Sequence, residues 1–140
     1  MQGYNVIAVF NEDKSKLLMC RRRKNPHLGL INFVGGKIEC NENGIDAAYR
    51  ELFEETNIGT DAINLTHLMD FTYHLSNCYV EVYVGKLKQN VTVSGDENEL
   101  LWSELNVDFF DMKQFAGGGN VGHIMEEIKV YAEQIFGEGE

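Results

Sequence analysis

Glu51, Glu54 and Glu55 stand at positions i, i+3 and i+4 of one short stretch. In a helix all three carboxylates project from nearly one face. Like charges at that spacing destabilise an isolated helix by about 0.2–0.5 kcal/mol per pair. Asn57 and Gly59 follow and mark a helix C-terminus, where exposed negative charge opposes the macrodipole by about 0.3–1 kcal/mol per group. A divalent cation removes both penalties, because hard cations such as Mg2+ take oxygen ligands and complete their shell with water and substrate phosphate. The other face is apolar: Ile45, Ala48, Tyr49 and Leu52 follow i, i+3, i+4 and i+7, a stripe that faces a core. The pattern predicts a helix over 44–56 that packs by one face and presents Arg50 and the acids on the other. From charge alone, a solvated acidic helix with Arg50 paired to a neighbour is the competing reading.

Upstream, the spacing adds constraints that a solvated helix does not need. Gly36 is followed by five residues and Glu42, then by seven and Arg50-Glu51-Leu52-Phe53-Glu54-Glu55, with Ile58 closing the run. The glycine pair lets backbone approach a metal or phosphate closely, and Gly35 has a carbonyl to offer as a ligand. This run resembles the Nudix box, Gly-x5-Glu-x7-Arg-Glu-U-x-Glu-Glu-x-Gly-U, where U is a bulky aliphatic residue. Asn57 stands where the pattern has Gly, a mild departure because Asn tolerates the left-handed conformation of a helix C-terminus. Outside the box, Arg21-Arg22, His27, Phe33 and Gly35-Gly36-Lys37-Ile38-Glu39 are similar to the MutT-like branch of that family, which hydrolyses 8-oxo-dGTP.

The resemblance implies an α+β fold, the Nudix α/β/α sandwich with a mixed sheet between helices. It implies a Mg2+ (or Mn2+) dependent hydrolase that cleaves the pyrophosphate link of a nucleoside diphosphate joined to another group. Water attacks one phosphorus and a nucleoside monophosphate leaves. The implied metal ligands are Glu54, Glu55 and the Gly35 carbonyl. Glu51 is the implied base or water-mediated metal contact, Arg50 orients it, and Glu42 holds the loop–helix geometry. A further acid from a later loop is implied, with Asp96, Glu97 and Glu99 all open. The implied substrate contacts are Arg22, His27, Asn32, Phe33, Lys37 and Asn120, with Asn120 reading the oxidised guanine. Two other readings stay open: a Nudix hydrolase of ADP-ribose, a nucleotide sugar or a dinucleoside polyphosphate, and a non-enzymatic nucleotide sensor. Retention of all three acids argues against the sensor.

The formal net charge of −10 argues against polymeric nucleic acid as a partner, since counterion release needs a basic surface. It leaves room for a single nucleotide, because cations cluster at Arg21-Arg22-Arg23-Lys24 and Lys37, and Arg presents a planar fork to phosphate. Length sets an expectation of one domain over 1–140. No apolar run approaches a membrane span, and the start lacks a signal-peptide pattern. Cys20, Cys40 and Cys78 lack metal-site spacing; with Cys20 read as a packed thiol, a cytoplasmic location is expected. A monomer or a homodimer is expected.

Strands are predicted over 4–10, 16–22, 31–34, 91–93 and 100–102, with a hairpin of 65–74 and 78–87 turning at Ser76-Asn77. Residues 117–119, all glycine, read as a flexible break. Val121, Ile124, Met125, Ile128, Tyr131, Ala132 and Ile135 predict one last helix, and residues 137–140 are expected to fray. His67, His74 and His123 show no convergent ligand pattern and read as structural or exposed. Trp102 reads as core or pocket wall.

Overall fold

The structure, a computed structural model, describes residues 1–25 and 27–137. Pro26 and the expected fraying of 138–140 lie outside the described residues. Chain order is β1 (Gln2–Phe10), β2 (Lys16–Arg21), β3 (Ile31–Asn32), α1 (Gly44–Thr56), a 3-10 turn (Thr60–Ala62), β4 (Thr66–Tyr73), β5 (Cys78–Lys86), β6 (Glu99–Glu104), α2 (Asn120–Val130) and α3 (Ala132–Phe136). The strands form one mixed sheet ordered β3-β2-β1-β5-β4, with β6 on the other edge of β2. β1 and β5 run parallel, and the remaining strand pairs are antiparallel.

Alternation along the central strands splits the core in two. Ile7, Val9, Leu18 and Tyr83 face α1 and pack with Ala48 and Leu52. Ala8, Phe10, Leu17, Met19, Val82 and Val84 face α2 and pack with Val121, Ile124, Met125 and Ile128. With both faces covered, the central strands read as continuous apolar runs. This is the α/β/α sandwich expected from the sequence, with mixed strand directions.

The sheet parts where the site forms. β2 pairs with β1 at Leu17 and Leu18, then with β3 at Cys20 and Arg21. Past the split, β1 bridges instead to Val34 and Lys37. The predicted strand 31–34 is therefore two residues of β3 followed by isolated bridges, because Val34 leaves β2 for β1. The Phe33 carbonyl at the crossing takes the Cys20 thiol, 3.6 Å away.

Two further expectations need correction. Residues 91–93 form no strand. Val91 and Val93 lean on the α1-side core, and the neighbouring Ser94 N–H donates to the Thr56 carbonyl at 3.0 Å, so this segment ties down the end of α1 rather than joining the sheet. The last helix is two helices broken at Tyr131 (φ −105°, ψ 17°). The break swings Phe136 edge-on against Phe10, with ring centroids 5.5 Å apart, and leaves Tyr131 exposed. The 117–119 segment is a turn with φ of 91°, 61° and 98°, a conformation glycine adopts without Cβ strain.

Candidate functional site

α1 positions the acids. The Asn43 side chain caps its start by accepting from Asp46 N–H at 3.0 Å. Its end turns left-handed at Asn57 (φ 64°, ψ 17°), whose N–H donates to the Phe53 carbonyl. Asn57 Nδ2 also donates to Ser94 Oγ at 2.6 Å. So the residue that departs from the box pattern fills the glycine's conformational role and adds a side-chain tie.

Arg50 organises the outer half of the cluster. Its Nε and Nη2 grip the two oxygens of Glu42 at 3.0 and 2.5 Å. Nη2 also reaches the Lys37 carbonyl at 3.0 Å, and Nη1 is shared by Glu51 at 3.0 Å and Glu54 at 3.1 Å. The Arg50 hydrogen bonds, with a smaller one from Glu39 N–H, hold the Glu42 carboxyl down at about 2, and Glu42 in turn raises the Arg50 pKa. Burial raises the Glu51 carboxyl above its ordinary value, against the opposing pull of Arg50.

The inner half is drier. Glu55 is 8 % exposed and accepts from Gly35 N–H at 3.2 Å. Burial pushes its carboxyl up to about 8, with Glu51 and Glu97 adding to the rise and the Gly35 N–H and Arg22 opposing it. A Cβ at Gly36 would overlap the Glu51 carboxylate, and one at Gly35 (φ 146°) would overlap the Asn5 carbonyl. The glycine pair is therefore a steric requirement of this site.

Three adjoining cavities link the sequence-predicted residues. Glu51, Glu54, Glu55, Glu97 and Lys37 line one of about 450 Å³. It shares Arg22, Gly35, Gly36 and Glu55 with a second of about 460 Å³ that includes His27, Asn32 and Phe33. That one shares Asn32 and Phe33 with a third of about 160 Å³, more apolar, reaching Tyr73 and Asn120. Arg50 and Glu42 stand behind the acids rather than on these cavity walls.

Among the loop acids, Glu97 lines the acidic cavity, and its charge acts on both Glu51 and Glu55. Glu99 pairs with Arg21 at 3.2 Å, and the Asp96 carbonyl takes Arg23. Trp102 packs on the α1-side core and is absent from the three cavities.

Sequence reasoning missed Asn5. Its backbone N–H donates to the Gly36 carbonyl at 2.8 Å and its Oδ1 accepts from Gly36 N–H at 3.0 Å. Its buried Nδ2 has no partner among the described residues. A polar residue inside an apolar strand is the signal that could have found it. His67 also has company that the sequence hid: its Nε2 lies 2.6 Å from Asp70 Oδ1, and the ligand atoms of His67, Asp70 and Glu81 lie within 4.8 Å of one another. This group sits on β4 and β5, outside the three cavities.

The donor set fits a hard cation. Five glutamates, Glu39, Glu51, Glu54, Glu55 and Glu97, line one cavity, and Glu55, buried, accepts from one N–H among the described residues and has a raised pKa, as expected of an acid lacking its counter-charge.

The sequence model of the NUDIX domain matches residues 1–122. No curated protein sequence matches the chain significantly. Solved structures do resemble it. One comes from a study of MutT from Aliivibrio salmonicida and Vibrio cholerae, with TM-score 0.69 and 19 % identity, covering 92 % of this chain and 98 % of that one. The NUDIX domain of Shewanella oneidensis NrtR, complexed with ADP ribose, matches with TM-score 0.71 and 18 % identity over 93 % and 87 % of the two chains. A C. elegans Ap4A hydrolase matches with TM-score 0.75 and 17 % identity over 94 % and 99 %. At these identities the likeness is one of fold.

Proposed function

The chain belongs to the NUDIX family, a family of hydrolases, and on that premise we propose that it is a Mg2+ (or Mn2+) dependent pyrophosphohydrolase of nucleoside triphosphates that prefers 8-oxo-dGTP. The observation that carries the proposal is the convergence of Glu51, Glu54, Glu55 and Glu97 on one cavity that opens past Arg22 toward Asn32 and Asn120. This order suits a substrate with phosphates at one end and a base at the other.

In this reading Glu54, Glu55 and the Gly35 carbonyl hold the cation, with Glu97 as the loop acid. When bound, the cation supplies Lewis-acid stabilisation of the phosphate oxygens. Glu51 takes the proton of the attacking water. Burial raises its carboxyl above the ordinary value, and the Arg50 hydrogen bond fixes its direction. Attack at one phosphorus breaks the bridging P–O bond, and the monophosphate and pyrophosphate separate. Arg22 and Lys37 offset phosphate charge, and His27 borders the same path. Phe33 and Asn32 wall the base pocket, where Asn120 meets the purine edge.

No helix among the described residues is long and apolar enough to cross a membrane. Cys20, Cys40 and Cys78 are free thiols, which supports a cytoplasmic setting. We treat 1–140 as one functional domain.

The test is a product panel. The expected result is monophosphate plus pyrophosphate from nucleoside triphosphates, with 8-oxo-dGTP ahead of dGTP in kcat/KM. AMP plus ribose phosphate from ADP-ribose as the main reaction, or faster cleavage of a nucleotide sugar or dinucleoside polyphosphate, would move the chain to the larger-substrate reading. Absence of turnover on every member would make it a sensor.

A further inference from the structure

Both N–H groups of the glycine pair end on side chains. Antiparallel bridges join Ile7 to Val34 and Tyr4 to Lys37, which sets Asn5 opposite Gly36. A facing pair of this kind can exchange two backbone hydrogen bonds. The Asn5 N–H makes the first, to the Gly36 carbonyl at 2.8 Å. The return bond goes to the side chain instead: the Gly36 N–H donates to Asn5 Oδ1 at 3.0 Å. The Gly35 N–H donates to the Glu55 carboxylate at 3.2 Å. So β1 holds one N–H of the turn and α1 holds the other.

A backbone N–H only donates, so the Asn5 atom that meets Gly36 is the amide oxygen, and the amide cannot turn over. Nδ2 is left buried without a partner among the described residues, and an unsatisfied buried donor costs stability. Alternation places Asn5 on the strand face of Ile7 and Val9, which pack in the α1-side core. An apolar side chain would continue that core. An amide with an idle donor needs another reason to stand there.

The reason lies in one peptide unit. The Gly36 N–H and the Gly35 carbonyl belong to the same planar group, and in a trans peptide they point in opposite directions. Holding the N–H therefore aims the carbonyl away from Asn5. We propose that Asn5 is a positioning residue of the candidate site: its side chain holds the Gly36 N–H so that the Gly35 carbonyl is presented to the cation. This inference rests on the reading of Gly35 as a metal ligand given above. Asn5 itself stays out of the donor set, since its one side-chain oxygen is occupied by Gly36.

The experiment uses three variants. Asn5→Leu keeps the size and removes the acceptor. Asn5→Ala removes it without adding bulk. Asn5→Asp keeps an acceptor oxygen and removes the idle donor. The readouts are hydrogen exchange of the Gly36 N–H by NMR, Mn2+ affinity by calorimetry without substrate, and the denaturation midpoint. Groups that orient a metal ligand contribute roughly 10–100-fold in metal affinity. Asn5→Leu and Asn5→Ala are therefore expected to lose about 10-fold or more in Mn2+ affinity and to exchange the Gly36 N–H faster. The midpoint of Asn5→Leu is expected to stay close to that of the unsubstituted chain, because the idle donor leaves together with the acceptor. Asn5→Asp is expected to bind Mn2+ at least as tightly as the unsubstituted chain. Unchanged Gly36 exchange or unchanged Mn2+ affinity in the Leu and Ala variants, or an equal loss in Asn5→Asp, would overturn the role of Asn5 and leave the metal reading standing. An unsubstituted chain that binds no Mn2+ would overturn both.

Discussion

Arg50 spends all five of its N–H donors within the cluster, two on Glu42, one on the Lys37 carbonyl and one each on Glu51 and Glu54. A lysine has three donors on a point charge and cannot reproduce that fork. Arg50→Lys is therefore expected to lower kcat nearly as far as Arg50→Ala. Glu51→Gln is expected to lower kcat by roughly 10^2–10^4, the usual range for general acid–base catalysis. Steady-state kinetics check both; changes confined to KM would mark the pair as binding groups instead. Glu42 gives a pH signature. Its carboxyl falls from the ordinary 4.5 to about 2 in the fold. A depressed acid contributes stability that is present above its unfolded value and lost as pH falls through its folded value. Denaturation followed from pH 5 to pH 2 should thus show a steeper acid loss in the unsubstituted chain than in Glu42→Gln, and parallel curves would discount the ion pair.

The helix that carries the acids shows what local sequence can specify. Its predicted bounds and its observed bounds coincide at 44–56, because the apolar stripe and the Asn57 turn are short-range signals. Asn57 holds a left-handed conformation that costs a residue with an ordinary side chain about 1–2 kcal/mol. Asn57→Gly is expected to keep the melting temperature close to that of the unsubstituted chain. Asn57→Ala is expected to lower stability by about 1–2 kcal/mol, read by chemical denaturation; an Ala variant as stable as Gly would show that the Ser94 tie and the turn do not limit this end. Elements that depend on distant partners were harder to read. Alternating valines at 91–93 specify extended backbone but carry no information about a pairing strand. The break at Tyr131 follows from Phe136 meeting Phe10, a contact between opposite ends of the chain. The cavity lined by Tyr73 and Asn120 is the same case, since the two residues are 47 positions apart and no local pattern announces their hydrogen bond.

Across the molecule, the acids depend on a helix pinned by two buried side chains, Ala48 and Leu52, against the sheet face of Ile7, Val9 and Tyr83. Leu52 is fully buried beside Glu51 in sequence. Leu52→Ala is expected to cost about 2–5 kcal/mol of stability, seen as a lower denaturation midpoint with little change in slope; a loss under about 1 kcal/mol would mean that α1 is not fixed by this core. The glycine turn reaches the acids from the other side, where β2 leaves β1 for β3 and the 34–37 segment takes its place. In the proposed function, this meeting of helix and turn is a metal-dependent site for cleaving a pyrophosphate bond. The most direct test is a phosphorus NMR time course of 8-oxo-dGTP with the purified chain, run with excess Mg2+ and again with excess chelator. Pyrophosphate and monophosphate signals are expected with Mg2+ and none with chelator. Pyrophosphate released in chelator, or orthophosphate released as the first product with Mg2+, would contradict the proposed function.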